Sequence, residues 1–283
     1  MLLNITLNSN FLPSPQYATY PPYHQGLYLE DYFINWLYNS KDSQQTSVTF
    51  IPISWTSYYN NMMPIDMLQN ALDSLPRNLQ YYTVSQHDDA PAQRLPPNTK
   101  VFSAGGNYSG PNCIPIPLIC SPITKPESIQ KDIFCSFVGS STHGIRNDIY
   151  NMFKDDIEFH FSQSGWDINV TQNKLDNFIN ITNRSKFALC PRGYGKSSFR
   201  LYEVMQLGAV PVYVSDHHYL PWTDELNWSE FCVLISPQDI PNIKTILKNI
   251  NESSYEKMLT KSKEIYNNYF TLDSVCTNIL KRI

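Results

Sequence analysis

The chain has 283 residues, 21 basic against 25 acidic side chains and a net charge of −4, with 42% hydrophobic residues. That size and apolar content predict one large or two modest domains, each with its own core. The near-balanced charge excludes a general electrostatic grip on nucleic acid or on an anionic membrane, and no apolar run approaches the roughly 20 residues that span a bilayer.

In chain order, the opening MLLNITLNSNF carries no basic leader and no long apolar segment, so a secretory signal is not expected, and the chain reads as cytosolic or as a catalytic fragment of something longer. Leu27 to Tyr38 has helical spacing and Val48 to Ile53 reads as a strand. Met67 to Leu75 reads as a short helix, Tyr81 to Ser85 and Val101 to Ala104 as strands, and the proline-punctuated Ile114 to Pro122 as an edge strand. The polar ITKPESIQKD stretch from Ile123 to Asp132 marks a boundary between a domain of residues 1–122 and one of residues 123–283. Beyond it strands and helices alternate. Strands are expected at Ile133 to Gly139 and Ile157 to Phe161, and helices at Ile145 to Phe153 and Lys174 to Asn183. The strand Lys186 to Cys190, a helix opened by Ser197 and Ser198 and ended at Gly208, and the strands Val210 to Val214 and Phe231 to Ile235 follow. A helix from about Pro241 and a helical tail from Ser253 to Arg282 close the chain, with the C-terminal helices able to cross back to the first domain. This alternation predicts an α/β fold with a parallel sheet covered on both faces.

The six cysteines lie mostly inside apolar runs such as FCSFV and FCVLI, which reads as reduced core thiols rather than a disulfide frame or a zinc site. The 19 tyrosines suit loops that line a carbohydrate site and equally suit an Asn- and Ile-rich genome, so composition leaves the ligand open.

The stretch KFALCPRGYGKSSFRLYEVMQLGAVPVYVSD is strand, glycine-rich turn, helix, turn, strand. Such a unit places a helix N-terminus at the carboxyl edge of a sheet, where α/β proteins bind ligands. Gly193 and Gly195, flanking Tyr194, let the main chain approach a ligand and present N–H groups. Ser197 and Ser198 stand at the positive end of the helix dipole. Arg192 and Arg200 can fork onto phosphate oxygens. Glu203 follows about 9 Å along the axis from Ser197, at ~1.5 Å per residue, a separation suited to ribose hydroxyls beyond a diphosphate. A structural glycine turn with an Arg–Glu surface pair is the plainer alternative. A phosphate-binding loop of the G-x-x-x-x-G-K-[ST] type is excluded because Cys190 stands where its first glycine belongs.

These same residues resemble the C-terminal half of the exostosin-like glycosyltransferases of family 47. The shared segments are Phe187 to Gly195, Arg200 to Glu203, Gly208 to Asp216 and Asn227 to Phe231, joined by FCSFVGSSTHGIRNDIY with Gly139 and Arg146 matched. The similarity is strong from about Phe134 to Ile240 and weaker upstream, where YYTVSQHDDAP and YPPYHQGLYLEDYF are similar to family segments. As a compact chain without a signal, it is similar to members from large algal viruses and bacteria. The resemblance implies a GT-B architecture, two Rossmann-like domains facing a central cleft, with the donor nucleotide in the C-terminal one. It implies inverting transfer of a sugar from a UDP-sugar to a hydroxyl of a glycan acceptor, with Arg146, Arg192 and Arg200 neutralising the diphosphate. Pentose and related donors recur in the family, which points toward xylose. No Asp-x-Asp triplet occurs, so no metal cofactor is expected, and neither a nucleic-acid partner nor a membrane span.

Inversion needs a base for the acceptor hydroxyl. His87, Asp88 and Asp89, at the carboxyl end of a predicted strand, are candidates, and so is His24 before the first helix. A turn of Asp-Asp-Ala-Pro and a solvated loop histidine are the ordinary alternatives. His217 and His218 are neighbours that point to opposite sides of an extended segment, so they are expected to shape the donor pocket rather than bind one ion. A non-catalytic nucleotide-sugar- and glycan-binding module of the same fold is the second functional reading.

Overall fold

The computed structural model describes residues 9–14, 28–39, 47–118, 122–123, 129–167 and 170–283. The chain divides into two compact units, one of Met1–Ile119 with Leu272–Ile283 and the other of Cys120–Thr271.

The first unit starts with helix α1 (Leu29–Asn39), strand β1 (Thr49–Phe50) and helices α2 (Trp55–Asn60) and α3 (Ile65–Asp73). Strands β2 (Tyr81–Ser85), β3 (Thr99–Ser103) and β4 (Cys113–Pro115) then complete a parallel sheet in the order β1-β2-β3-β4. Every residue of β2 is buried, as a central strand with both faces covered requires. Its side chains divide by parity. Tyr81 joins the cluster of Trp55, Tyr58, Leu68 and Leu72 from α2 and α3. Tyr82 faces the other way, where its ring meets Phe33 of α1 edge-on at 6.3 Å. Only the β1–β2 crossover is helical; the segments joining β2 to β3 and β3 to β4 contain no helix.

The second unit holds β5 (Ile133–Ser140), α4 (Gly144–Phe153), β6 (Phe159–Ser164), α5 (Gln172–Arg184) and β7 (Ser185–Pro191). After these come α6 (Phe199–Leu207), β8 (Val210–Val214), β9 (Val233–Ile235), α7 (Ile243–Lys248) and α8 (Glu252–Ile265). Its five strands are all parallel in the order β6-β5-β7-β8-β9. Phe137, Leu189, Val212 and Ile235 pack against α4, α7 and Tyr255 of α8 on one face. Val138 packs with Phe178, Ile181 and Leu207 on the other. Gly208 ends α6 with φ 72° and ψ 39°, a left-handed turn that costs a glycine nothing. Helix α9 (Leu272–Leu280) belongs to the first unit, where Tyr32 donates to Asp273 at 2.8 Å and Lys100 donates to the Arg282 carbonyl at 2.8 Å.

Each unit is built on a parallel sheet, as expected of an α/β chain. Three elements differ from expectation. Helix α2 was not foreseen. The segment at Pro241 is a 3₁₀ turn, Pro237–Asn242, with α-helix beginning only at Ile243. The tail is interrupted, because a π-turn at Tyr266–Phe270 is followed by extended Thr271. That break seats the Phe270 ring 5.1 Å from Tyr202 and 5.4 Å from Trp228. The cysteines Cys113, Cys135, Cys190, Cys232 and Cys276 are free thiols, and Cys120 lies outside the described residues. No helix among the described residues is long and apolar enough to cross a membrane.

Candidate functional site

In the second sheet the chain steps from β5 outward to β6 and then returns to the other side of β5 with β7. The connections leaving β5 and β7 therefore diverge, and a crevice opens at the carboxyl ends of these two adjacent strands. Residues Ser141 to His143 lead from β5 into α4, and Arg192 to Ser198 lead from β7 into α6.

Arg146 ties the two loops together. It donates from Nη1 to the Ser140 carbonyl at 2.7 Å, from Nη2 to the Pro191 carbonyl at 3.1 Å and from Nε to the Arg192 carbonyl at 3.0 Å. Its guanidinium lies 5.6 Å over the ring of Phe137, and the bare Gly139 leaves that ring its place, since a Cβ there would come 2.9 Å from it. Gly193 packs over the same guanidinium, where an added Cβ would stand 3.2 Å from Arg146 Nη2 and from Thr142 Oγ1.

Arg192 is 7% exposed and ties the second loop to β8. Its Nη1 meets Asp216 Oδ1 at 2.7 Å, while Nε and Nη2 donate to the carbonyls of Gly193 and Tyr194 at 3.2 and 2.8 Å. Burial works to raise the Asp216 carboxyl, but hydrogen bonding and charge from Arg192 outweigh it and leave it below the ordinary carboxylate value. Tyr213 Oη donates to the Lys196 carbonyl at 2.7 Å, fixing the loop's far end. Gly195 is buried within it, while Tyr194 is 61% exposed.

At the start of α6, Ser198 has extended backbone and its side chain makes no capping bond. Ser197 is 5% exposed and its Oγ has no hydrogen-bond partner. A helix start leaves N–H groups unsatisfied, so this one combines free donors with an orphaned buried hydroxyl. Arg200 and Glu203 pair through Nη1 and Oε2, and the Arg200 guanidinium lies 3.8 Å over the Phe178 ring. Glu203 is 1% exposed, so the pair is not a surface pair, and the carboxylate expected to face a ribose is covered in this structure.

His143 was not foreseen. It caps α4, its Nδ1 accepting from Ile145 N at 3.3 Å, which leaves Nε2 to carry the proton of the neutral ring. Burial, followed by the charge of Arg192, holds its pKa below the usual histidine value. The T-H-G sequence before a helix is the signal that marks such a cap.

In the first unit, His87, Asp88 and Asp89 follow β2 at its carboxyl end. His87 Nδ1 accepts from Asp89 N at 3.1 Å and its ring stands edge-on to Tyr59 at 5.0 Å. Burial lowers the His87 pKa against the charge of Asp89. Asn107 joins this loop to the one after β3, donating from N to the Asp88 carbonyl at 3.0 Å and from Nδ2 to Asp89 Oδ1 at 3.0 Å. Gly105 lies directly on the Asp88 main chain. The structure brings His87, Asp88 and Asp89 together; His24 lies outside the described residues. His217 and His218 are exposed, and among the described residues no three His, Cys, Asp or Glu converge on a metal-holding arrangement.

Comparison with known proteins identifies the family. A protein of Arabidopsis thaliana named "Probable glycosyltransferase" is 31% identical over 141 residues, which are 49% of this chain and 28% of its own length. A rice protein named "Probable glucuronosyltransferase" is 29% identical over 112 residues, 40% of this chain and 25% of its own. The chain thus matches less than a third of either relative. Among solved structures, TarM covers 87% of this chain and 57% of its own at 12% identity, with a TM-score of 0.45. The Exostosin GT47 domain matches residues 37–250, well over half of the sequence, and the chain belongs to that family.

Proposed function

We propose that this chain is an inverting glycosyltransferase, independent of a metal ion, that moves a sugar from a UDP-sugar to a hydroxyl of a glycan acceptor. The observation that carries the donor half is the uncapped start of α6 beside the partnerless buried hydroxyl of Ser197. A diphosphate oxygen supplies the acceptor that both lack, at the positive end of the helix dipole. Arg192 and Arg146 order the two loops around it and lend positive charge as the nucleoside diphosphate leaves. Arg200 adds a third guanidinium, oriented by Glu203 and by the Phe178 ring. The ribose contact expected of Glu203 requires that guanidinium to move aside.

On the acceptor side Asp88 takes the proton of the attacking hydroxyl, with His87 and Asp89 shaping its loop. Asp88→Asn is expected to lower transfer at least ~10²-fold while the calorimetric affinity for UDP stays within a factor of about two. Unchanged transfer would remove Asp88 from this role.

The reading is tested by following UDP release and glycan product with a panel headed by UDP-xylose, from the pentose expectation, and UDP-glucuronate, from the names of the relatives. Binding of UDP without turnover of any donor would leave the glycan-binding module as the surviving alternative. No binding of UDP would end both.

A further inference from the structure

The first carboxyl of α1, that of Glu30, is buried, and the next, that of Asp31, is half-buried with one oxygen inside. Glu30 is 1% exposed; its Oε1 accepts from Thr56 N at 2.9 Å and from Thr56 Oγ1 at 2.6 Å, while its Oε2 is buried without a partner. Asp31 Oδ1 accepts from Ser54 Oγ, and its Oδ2 is likewise buried without a partner. One turn of helix thus grips the connection from β1 into α2. Ser54, the residue before α2, makes no capping bond of its own, so the carboxyl of Glu30 caps α2 from another element. The same turn reaches the loop after β2, because Leu29 N donates to Gln86 Oε1 at 2.9 Å. Gln86 immediately precedes His87, and α2 carries Tyr59, whose ring lies against His87. Glu30 therefore stands where the supports of the His87–Asp89 loop meet.

We propose that Glu30 is a positioning residue for that loop, its ionised carboxylate holding the start of α2, which carries Tyr59, in the arrangement that presents His87 and Asp88. This deepens the transferase reading and rests on it for its kinetic arm. A buried carboxylate with one oxygen unsatisfied is a poor choice for stability alone. Burial, reinforced by the charge of Asp31, pushes the Glu30 pKa up to about 7. The groups acting on it are Asp31 on its own helix and the neutral Thr56 at the start of α2. The titratable groups of the β2 loop are His87, Asp88 and Asp89, and the charge of Asp89 acts on His87.

The linkage sign is opposite for stability and for function. With the folded value raised from 4.5 to about 7, the contribution of Glu30 to stability is present below pH 4.5 and lost as pH rises through 7. Loop positioning, which needs the ionised form, strengthens over the same window. Glu30→Gln keeps an oxygen for Thr56 and removes the charge.

The test compares the whole chain with its Glu30→Gln variant. The variant is expected to unfold about 5 °C higher at pH 8, with the difference shrinking toward pH 5. It is expected to lose about tenfold or more in kcat/KM for transfer at pH 8 and to lose the acid limb near pH 7, with UDP affinity unchanged. An arm independent of turnover follows the His87 imidazole by NMR, where the wild type shows a second step near pH 7 that Glu30→Gln lacks. Wild-type transfer activity retained in full by the variant, or a His87 titration identical in both proteins, would overturn the proposal. Failure of the wild type to turn over any donor would instead strike the transferase reading, and the His87 step would still decide the role of Glu30.

Discussion

Arg192→Ala is expected to lower kcat/KM for sugar transfer by about 10²–10³-fold, the scale for removing one donor aimed at developing charge. The effect has two sources. The guanidinium is the positive group buried deepest in the β7–α6 loop, and the Asp216 carboxylate that it faces would be left without a counter-charge. The carbonyls of Gly193 and Tyr194 would also lose their donor, at about 1.5–3 kcal/mol for each hydrogen bond to a charged group in a protected site. Asp216 is 41% exposed and water replaces most of what it loses, so the two carbonyls set the stability change, about 3 kcal/mol. Lysine cannot span three acceptors with a planar fork, and Arg192→Lys should recover little. Calorimetry with UDP, donor-hydrolysis rates and a thermal melt separate these effects. A variant that binds UDP as the wild type does would place the diphosphate elsewhere.

The second large effect belongs to Gly105→Ala. A methyl group there would collide with Asp88 Cα and come 2.7 Å from Asp88 N and Oδ1, and main-chain atoms cannot rotate away. Either the β2 loop or the β3 loop must shift. Overpacking of this kind costs about 3 kcal/mol, and the shift carries Asp88 off its position. Transfer should fall ~10²-fold, as expected of a displaced reacting group, while UDP affinity, which the proposed function assigns to the second unit, stays unchanged. Hydrogen exchange at Asn107 N, bonded to the Asp88 carbonyl, would report the displacement directly. A fully active Gly105→Ala protein would show that Asp88 need not be held there.

Much of the second unit was legible because its signals are local. Strands β2 and β8 occur over the residues that their apolar runs marked, and Gly208 ended α6 because the chain there needs a positive φ. What escaped was set from a distance. WTSYYN has poor helix propensity, and α2 forms where Glu30 supplies its cap and the Trp55 and Tyr58 side chains are wholly buried. The break before α9 comes from the seat of Phe270 between Tyr202 and Trp228, partners far away in sequence. The same holds for the candidate site. Arg192, Arg200 and the glycines and serines between them could be named as candidates from spacing, and Arg146 and Gly139 from the family resemblance, but their present bonds could not. Arg146 clamps three carbonyls and Glu203 is shut in with Arg200, and neither arrangement is written in any short motif. The burial of the Glu30 carboxyl is carried by no local pattern, because exposure is a property of the folded chain alone.

The placement of α9 also sets the order in which the molecule can be completed. All residues of the second unit have left the ribosome once Thr271 emerges, whereas the first unit, begun earliest, still lacks the helix that receives Tyr32. The half made first is therefore finished last. A chain ended after Thr271 should carry a protease-resistant later half and a cleavable earlier one, an inversion of the usual N-to-C order of domain folding.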